Sequence, residues 1–481
     1  MRFRTHHGIR LAGRIALALV LLTTACASRH LGRTTTPDQW RATLQGPLEP
    51  DTAARLADSP SLDLLLALAV TRSPAVQAER LRWLAALHRY PQETSLEDPM
   101  LRAGYQLRDI PPMMDMEEWT LELMQPLPWW QKLWARGRMA LVEAEVARLR
   151  YEAALRDLII DVKETWYELF YIDQALPITE RVETLLRNQG ILAYTELAVG
   201  RTALTEAFRA ESQAAQLAYD RILLSEQRAA QAERLRSLLN LPPGTPVGRI
   251  RTAPLYDAPP AVEPLYERAE QFAEMLRTRG LEIQRAEYET FLGKLARVPD
   301  VSIGFETAEM PDGFNPFMLG ASMNLPIWEQ RNRALIRERQ AAEGAARREA
   351  LQEVNAVRQA VAEAYFRAQL AERLRTLYAN VLLPQAEAIM RQAELFFRNE
   401  QASFSNLLET TLAYHNFLLA YYRAVADQGQ AIGQLERAIG ATARSEAAPG
   451  PPGAPRAIAG VTTETLPMPP ALSGATDGRQ P

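Results

Sequence analysis

Residues 118–138 read EWTLELMQPLPWWQKLWARGR. Trp119, Leu121 and Leu123 alternate with Thr120, Glu122 and Met124, the period of a strand with one apolar and one more polar face. Pro126 and Pro128 end the ladder because proline has no N–H to donate. Beyond Gln131 the period becomes helical, and Trp129, Trp130 and Trp134 cluster at the switch. The same design returns at 313–333, GFNPFMLGASMNLPIWEQRNR, where Phe317, Leu319, Ala321 and Met323 alternate with Met318, Gly320, Ser322 and Asn324 ahead of Pro326 and Trp328. Pro128 and Pro326 lie 198 residues apart, and Pro99 and Pro299 lie 200 apart.

This offset marks an internal duplication. Each copy reads as helix, β-hairpin, long helix, returning helix, giving a mainly α fold with a small β part. The divisions expected are a signal peptide at 1–25, a tether at 26–51, and a first repeat at 52–240 with its hairpin at 100–127. An irregular equatorial connector at 241–264 follows, then a second repeat at 265–440 with its hairpin at 300–325, and a disordered Pro/Gly/Ala-rich tail at 441–481. Helices are expected over Thr52–Arg89, broken at Pro60 and Pro74, and over Gln131–Val199, softened at Pro177. Further helices are expected over Thr202–Asn240, Leu265–Arg297, Arg331–Asn399 (softened at Pro384) and Ser403–Ile439. The descending helices would be about 100 Å long at a 1.5 Å rise. The returning paths match if Thr202–Asn240 stacks on Leu265–Arg297 and Ser403–Ile439 stacks on Thr52–Arg89. Leu155, Ile159, Val162, Trp166 and Leu169, and Val354, Val357, Val361, Ala364 and Ala368, carry the heptad-like seam of a coiled-coil shaft.

The formal net charge of −4 over 481 residues excludes the basic excess of a nucleic-acid binder. Arg2, Arg4, Arg10 and Arg14 precede the apolar Ile15–Leu22 and the small residues Thr23-Thr24-Ala25, a secretory signal. Cys26, the only cysteine, follows directly; the setting resembles a bacterial lipobox, with Thr23 where Leu is preferred. That resemblance implies lipidation of Cys26, and Ala27 in place of Asp implies retention in the outer membrane.

Strands of about nine residues suit a membrane-crossing β-strand, and four strands cannot close a barrel alone, so the chain must associate. The polar faces carry Arg102, Gln106, Arg108, Glu122, Ser302, Glu306, Ser322 and Asn324, the lining of a water-filled lumen, and the hinge tryptophans sit where an aromatic belt would. A non-conducting periplasmic coiled-coil scaffold lipoprotein would also explain the helices and Cys26, but not strands at matched points of two repeats.

From Thr52 to Ile439 the chain resembles the TolC-like outer-membrane efflux channels. The resemblance rests on the duplication, the Gln125–Trp129 and Asn324–Trp328 hinges, Arg331-Asn332-Arg333 and the two tips. It implies a homotrimer: a twelve-stranded barrel in the outer membrane, continued by a periplasmic twelve-helix tunnel. It implies as partners a periplasmic adaptor and an inner-membrane transporter, with this chain a passive exit duct rather than an enzyme. Asp98-Pro99 and Pro128–Arg138 look most like members paired with heavy-metal exporters. At the tips, the resemblance places Glu206 and Glu409 at acidic positions of the gate, with Asn406 replacing an acid and Glu400 standing where a second Gly is usual. Gly200, Leu204, Phe404 and Leu408 are the adaptor-docking candidates, against ordinary interhelical packing. No cofactor, metal or catalytic site is expected: Pro112–Met116 offers thioethers in a hairpin loop, and His30, His88 and His415 lack ligand spacing.

Overall fold

The computed structural model describes residues 48–105, 119–198, 204–256, 261–309, 317–399, 401 and 403–441. The signal segment, Cys26, His30, Gln106, Arg108, the Met-rich 112–116 loop, Gly200, Glu400 and the tail lie outside the described residues. Four short helices open the chain: α1 (Pro50–Asp58), α2 (Leu62–Arg72), α3 (Pro74–Leu87) and α4 (Arg89–Thr94). Ser61 and Ser73 cap α2 and α3 by accepting the Leu64 and Val76 amides, and Ser73 is also where α2 ends. Next come β1 (Met100–Tyr105), β2 (Trp119–Leu127), α5 (Trp130–Ala198), α6 (Leu204–Leu238), α7 (Glu263–Phe272) and α8 (Glu274–Leu295). The chain continues through β3 (Val301–Glu309), β4 (Phe317–Met323), α9 (Glu329–Leu377), a π turn (Tyr378–Leu382), α10 (Leu383–Arg398) and α11 (Phe404–Ile439).

The strands form one antiparallel sheet in chain order, so β2 and β3 join the two repeats. α5, a helix of 69 residues, is the axis of the helical part. Near the sheet it packs against α3, α4 and α8, through Trp83 stacked on Tyr151 and ion pairs Arg89–Glu143 and Arg156–Glu274. Farther away it packs against α6 and α11, through Arg228–Asp173 and Arg423–Glu168. α9 receives α8 on the sheet side and α11 beyond.

The stacking of the shorter helices differs from the expected one. α6 ends against the start of α3, where the Asn240 carboxamide donates to the Arg72 carbonyl and Arg72 donates back to the Asn240 carbonyl. α11 ends against the junction of α7 and α8, where Leu435 and Ile439 bury with Leu265, Ala269 and Ala273. Each returning path is therefore built within one repeat. The segment after α6 runs sideways over α5 and α11: the Tyr167 hydroxyl donates to the Pro254 carbonyl, and the Gln428 carboxamide donates to the Tyr256 carbonyl. This sideways run displaces α7–α8 from the top of α6.

The helix expected over Leu265–Arg297 is broken at Ala273, whose backbone is not helical (φ −59°, ψ 116°). Local propensity gives no cause; the cause is the end of α11. Gly440 turns there at φ +74°, and a Cβ on it would meet the Phe272 carbonyl oxygen at 2.5 Å. Pro177 lies inside α5 without ending it, whereas Pro384 begins α10 directly after the π turn. A π turn before a proline relieves the missing donor and the ring clash.

The largest core gathers where α5 meets the connector: Leu56, Leu65, Val162, Trp166, Tyr167, Leu169, Leu235, Leu239 and Ile250 are buried there. Gly429 on α11 lies against the Tyr167 ring, 2.2 Å from where its Cβ would stand to Cζ. A Gly429→Ala change must push a buried aromatic ring or separate α11 from α5. Thermal unfolding in detergent should fall by about 2 kcal/mol or more, and an unchanged midpoint would show that the approach is looser.

Candidate functional site

The register sorts the sheet residues onto two faces. Arg102 faces Glu122, Glu122 faces Glu306, and Ser302 faces Ser322. One face thus carries Arg102, Gly104, Thr120, Glu122, Ser302, Gly304, Glu306, Gly320 and Ser322, with three methionines, Met100, Met124 and Met318. The other carries Leu101, Ala103, Trp119, Leu121, Leu123, Leu127, Val301, Ile303, Phe305, Phe317, Leu319, Ala321 and Met323, with Gln125 and Thr307 as its polar members. On that face Leu101 is 67% exposed and Phe317 72%. An apolar face of this extent, left uncovered, has no place in water.

On the polar face, Glu122 and Glu306 stand directly opposite, a repulsive arrangement. Arg102 offsets it by donating to Glu122 at 3.1 Å. Among the described residues, the two outer edges, β1 and β4, have no strand beyond them. No helix among the described residues is long and apolar enough to cross a membrane; that observation does not bear on a β-barrel.

Asn324 is a correction: it lies beyond β4 and serves the joint instead of facing with the strand residues. Its side-chain oxygen accepts the Asp300 amide at 2.7 Å, and its own amide donates to the Asp300 carbonyl. The Asp300 carboxylate accepts from the Trp129 amide at 3.0 Å and from the Lys132 ammonium, which reaches both oxygens at 2.8 Å. Lys132 also donates to the Val298 carbonyl. Asp300 therefore ties the first hinge through its carboxylate and the end of β4 through its backbone. Burial pushes this carboxyl up, but Lys132, the Trp129 amide and Arg136 outweigh it, and the net shift is downward. Trp134 is the second correction. It meets Tyr288 and Phe291 of α8 edge-on, with the Arg138 guanidinium over its ring, so it packs helices rather than joining an interfacial belt. Trp129, Trp130 and Trp328 are the exposed ones.

At the far end, Ser403 caps α11 by accepting the Asn406 amide at 3.3 Å. Glu206 lies in the first turn of α6, where the helix dipole favours a carboxylate. It is half-buried and accepts from the Ser405 hydroxyl at 3.1 Å, linking the starts of α6 and α11. Asn406 and Glu409 are exposed. Leu204 is 60% exposed, but Phe404 and Leu408 are 4% and 5% exposed. The latter two bury with Leu186, Ala193, Ala207, Ala210, Ala214 and Leu217, which removes both from any docking surface of this subunit. Small residues on α6 bring it close to α5, and Phe404 and Leu408 fill the wedge between them. The apolar surface here is carried by Phe208, one turn from Leu204, and by Ile191 on α5. The i, i+4 pair Leu204–Phe208 was the available signal. Higher on α11, His415 is buried with no hydrogen-bond partner for Nδ1. Burial holds its pKa down, opposed by Asp220.

No protein-family model and no curated protein matches the chain. Solved structures do. The outer membrane protein VceC of Vibrio cholerae matches with a TM-score of 0.67 at 16% identity, over 79% of this chain and 96% of VceC. The open-state outer membrane channel MtrE of Neisseria gonorrhoeae matches with a TM-score of 0.65 at 14% identity, over 83% and 94%. The Campylobacter jejuni outer membrane channel CmeC matches with a TM-score of 0.65 at 14% identity, over 79% and 85%. At these identities the likeness establishes the fold: this chain has the fold of those outer-membrane channels.

Two outcomes follow from the charges. Asp300 has a depressed carboxyl, so its pairing stabilises the fold above the ordinary carboxylate range, near pH 4, and fades as pH falls through its lowered value. Asp300→Asn should lower the unfolding temperature at pH 7 and flatten its fall in acid; parallel acid curves for variant and parent would contradict this role. His415 is held neutral, so its cost appears as pH falls below about 6.5, where the unfolded histidine gains its proton. His415→Gln should reduce the loss of helical stability between pH 7 and 5, measured by circular dichroism.

Proposed function

We propose that this chain is an outer-membrane channel of an efflux system, of the TolC-like kind. The observation that carries the reading is the sheet: one exposed apolar face, one polar face with Arg102, Glu122 and Glu306, and two open edges. In a bilayer each backbone polar group needs a protein partner, so such a sheet is stable only when copies close it into a barrel. Three copies give twelve strands around an aqueous lumen. The exposed apolar edges of α6 (Tyr219, Ile222) and α9 (Phe366, Leu370) then meet between copies, and the helices continue the duct into the periplasm. Lipidation at Cys26 anchors each copy. An adaptor engages the tip, and an inner-membrane transporter supplies the energy, leaving this chain a passive exit. Glu206 and Glu409 form a carboxylate ring at the tip, with Asn406 beside it.

Planar-bilayer recording of the detergent-extracted protein tests this. Discrete, cation-favouring conductance is expected, and Glu206→Gln with Glu409→Gln should weaken the cation preference severalfold. Protein that never conducts, with or without those changes, would favour a periplasmic scaffold. Conduction with unchanged selectivity would remove only the carboxylate ring.

A further inference from the structure

The joint between the two repeats inside one chain specifies the joint between two copies. The hinge prolines carry β2 onto β4 with an offset of 198 (Pro128 to Pro326). The registers then fix the other offset. Met100 faces Met124; Met124 corresponds to Ser322; Ser322 faces Ser302. Met100 therefore corresponds to Ser302, an offset of 202, not the 200 of Pro99 and Pro299. With that offset Asp98 falls on Asp300, the carboxylate that holds the first hinge.

We propose that β4 of one copy pairs with β1 of the next in the register that repeats β2 with β3, and that Asp98 of the next copy receives the second hinge. This rests on the channel reading above. Gln125 faces Ile303 within a chain, so Met323 faces Leu101 of the next copy. Ser322 then faces Arg102, Ala321 faces Ala103, Gly320 faces Gly104 and Leu319 faces Tyr105 of that copy.

The chemistry of the strands is matched in this register. Met323 and Ala321 meet Leu101 and Ala103 on the apolar face, while Ser322 and Gly320 meet Arg102 and Gly104 on the polar face. A slip of two in one direction sets Pro99, which has no N–H to donate, opposite Met323. A slip of two in the other leaves three opposed pairs among the described strand residues, at 323 with 103, 322 with 104 and 321 with 105, where the proposed register has five.

At the base of this seam the first hinge has a Lys132–Asp300 ion pair, 2.8 Å long. The equivalent of Lys132 is Gln330, followed by Arg331. Asp98, Gln330 and Arg331 are all exposed in the single chain. The seam between copies thus replaces a lysine–carboxylate pair with an amide–carboxylate contact, and it is the more easily parted of the two joints.

Paired cysteines test the register in the full-length protein. Residues 103 and 321 of one chain lie three strand spacings apart, about 14 Å, beyond disulfide reach, so any bond between them joins copies. Ala103→Cys with Ala321→Cys should give covalent dimers and trimers on oxidation, while Leu101→Cys or Tyr105→Cys with Ala321→Cys should give few. Linking through either of the latter pairs instead, in protein that remains oligomeric, would overturn the register and leave the channel reading standing. Absence of all three links in an oligomer would also overturn it. Monomeric protein with none would overturn both readings. A second variant bears on the base of the seam. Gln330→Lys should raise the temperature at which the oligomer dissociates, and adding Asp98→Asn should abolish the gain; no gain from Gln330→Lys would overturn the assignment of Asp98.

Discussion

An unpaired strand edge is the constraint on which the structure depends. Among the described residues, β1 and β4 each present a row of backbone groups with no strand beside them, next to a face of exposed leucine, isoleucine and phenylalanine. Neither feature is stable alone in water, and neither is permitted in a bilayer unless the edges are joined. Closing the sheet satisfies both at once: apolar side chains meet lipid, and the arginine and glutamates meet water. The cost of placing Glu122 beside Glu306 is acceptable only on a wet face with Arg102 at hand.

The helices extend the same logic without a bilayer. α5 packs on both flanks, one against α3 and α6 and the other against α8 and α11. α6 and α9 each keep one apolar edge exposed. A duplicated unit that satisfies its inner joint and leaves the matching outer edges open is built for addition of like units. The equatorial core locks this arrangement. Asp173, buried on α5, accepts from Arg228 of α6 at 2.5 Å and from the Ile250 amide at 2.8 Å. Arg228 also donates to the Val247 and Gly248 carbonyls, fixing the crossing segment over both helices. Breaking such a pair leaves a buried charge uncompensated, which typically costs several kcal/mol.

Much of this was legible in the sequence because periodicity is local. The span of β2, the helix breaks at Pro60 and Pro74 and the soft point at Pro384 follow from alternation and from proline chemistry. What was not legible depends on distant residues. Ala273 breaks a helix only because Gly440 arrives there, 167 positions later in the numbering. Phe404 and Leu408 look like surface anchors until Ala207, Ala210 and Ala214 bring α6 near enough to cover them. The exchange of stacking partners requires the sideways run after α6, which composition marks only as irregular. Lys132, one of three lysines in an arginine-rich chain, was a signal for the Asp300 joint that periodicity does not register.

The central claim is that the sheet crosses a bilayer with its two faces in different media. Spin labels placed singly along β2 and β3 in liposome-reconstituted protein test it directly. Labels at Leu123 and Phe305 should be relaxed by dissolved oxygen, which favours lipid, and labels at Glu122 and Ser302 by a water-soluble nickel chelate, alternating with period two. Water exposure at all four positions would contradict a membrane-spanning barrel.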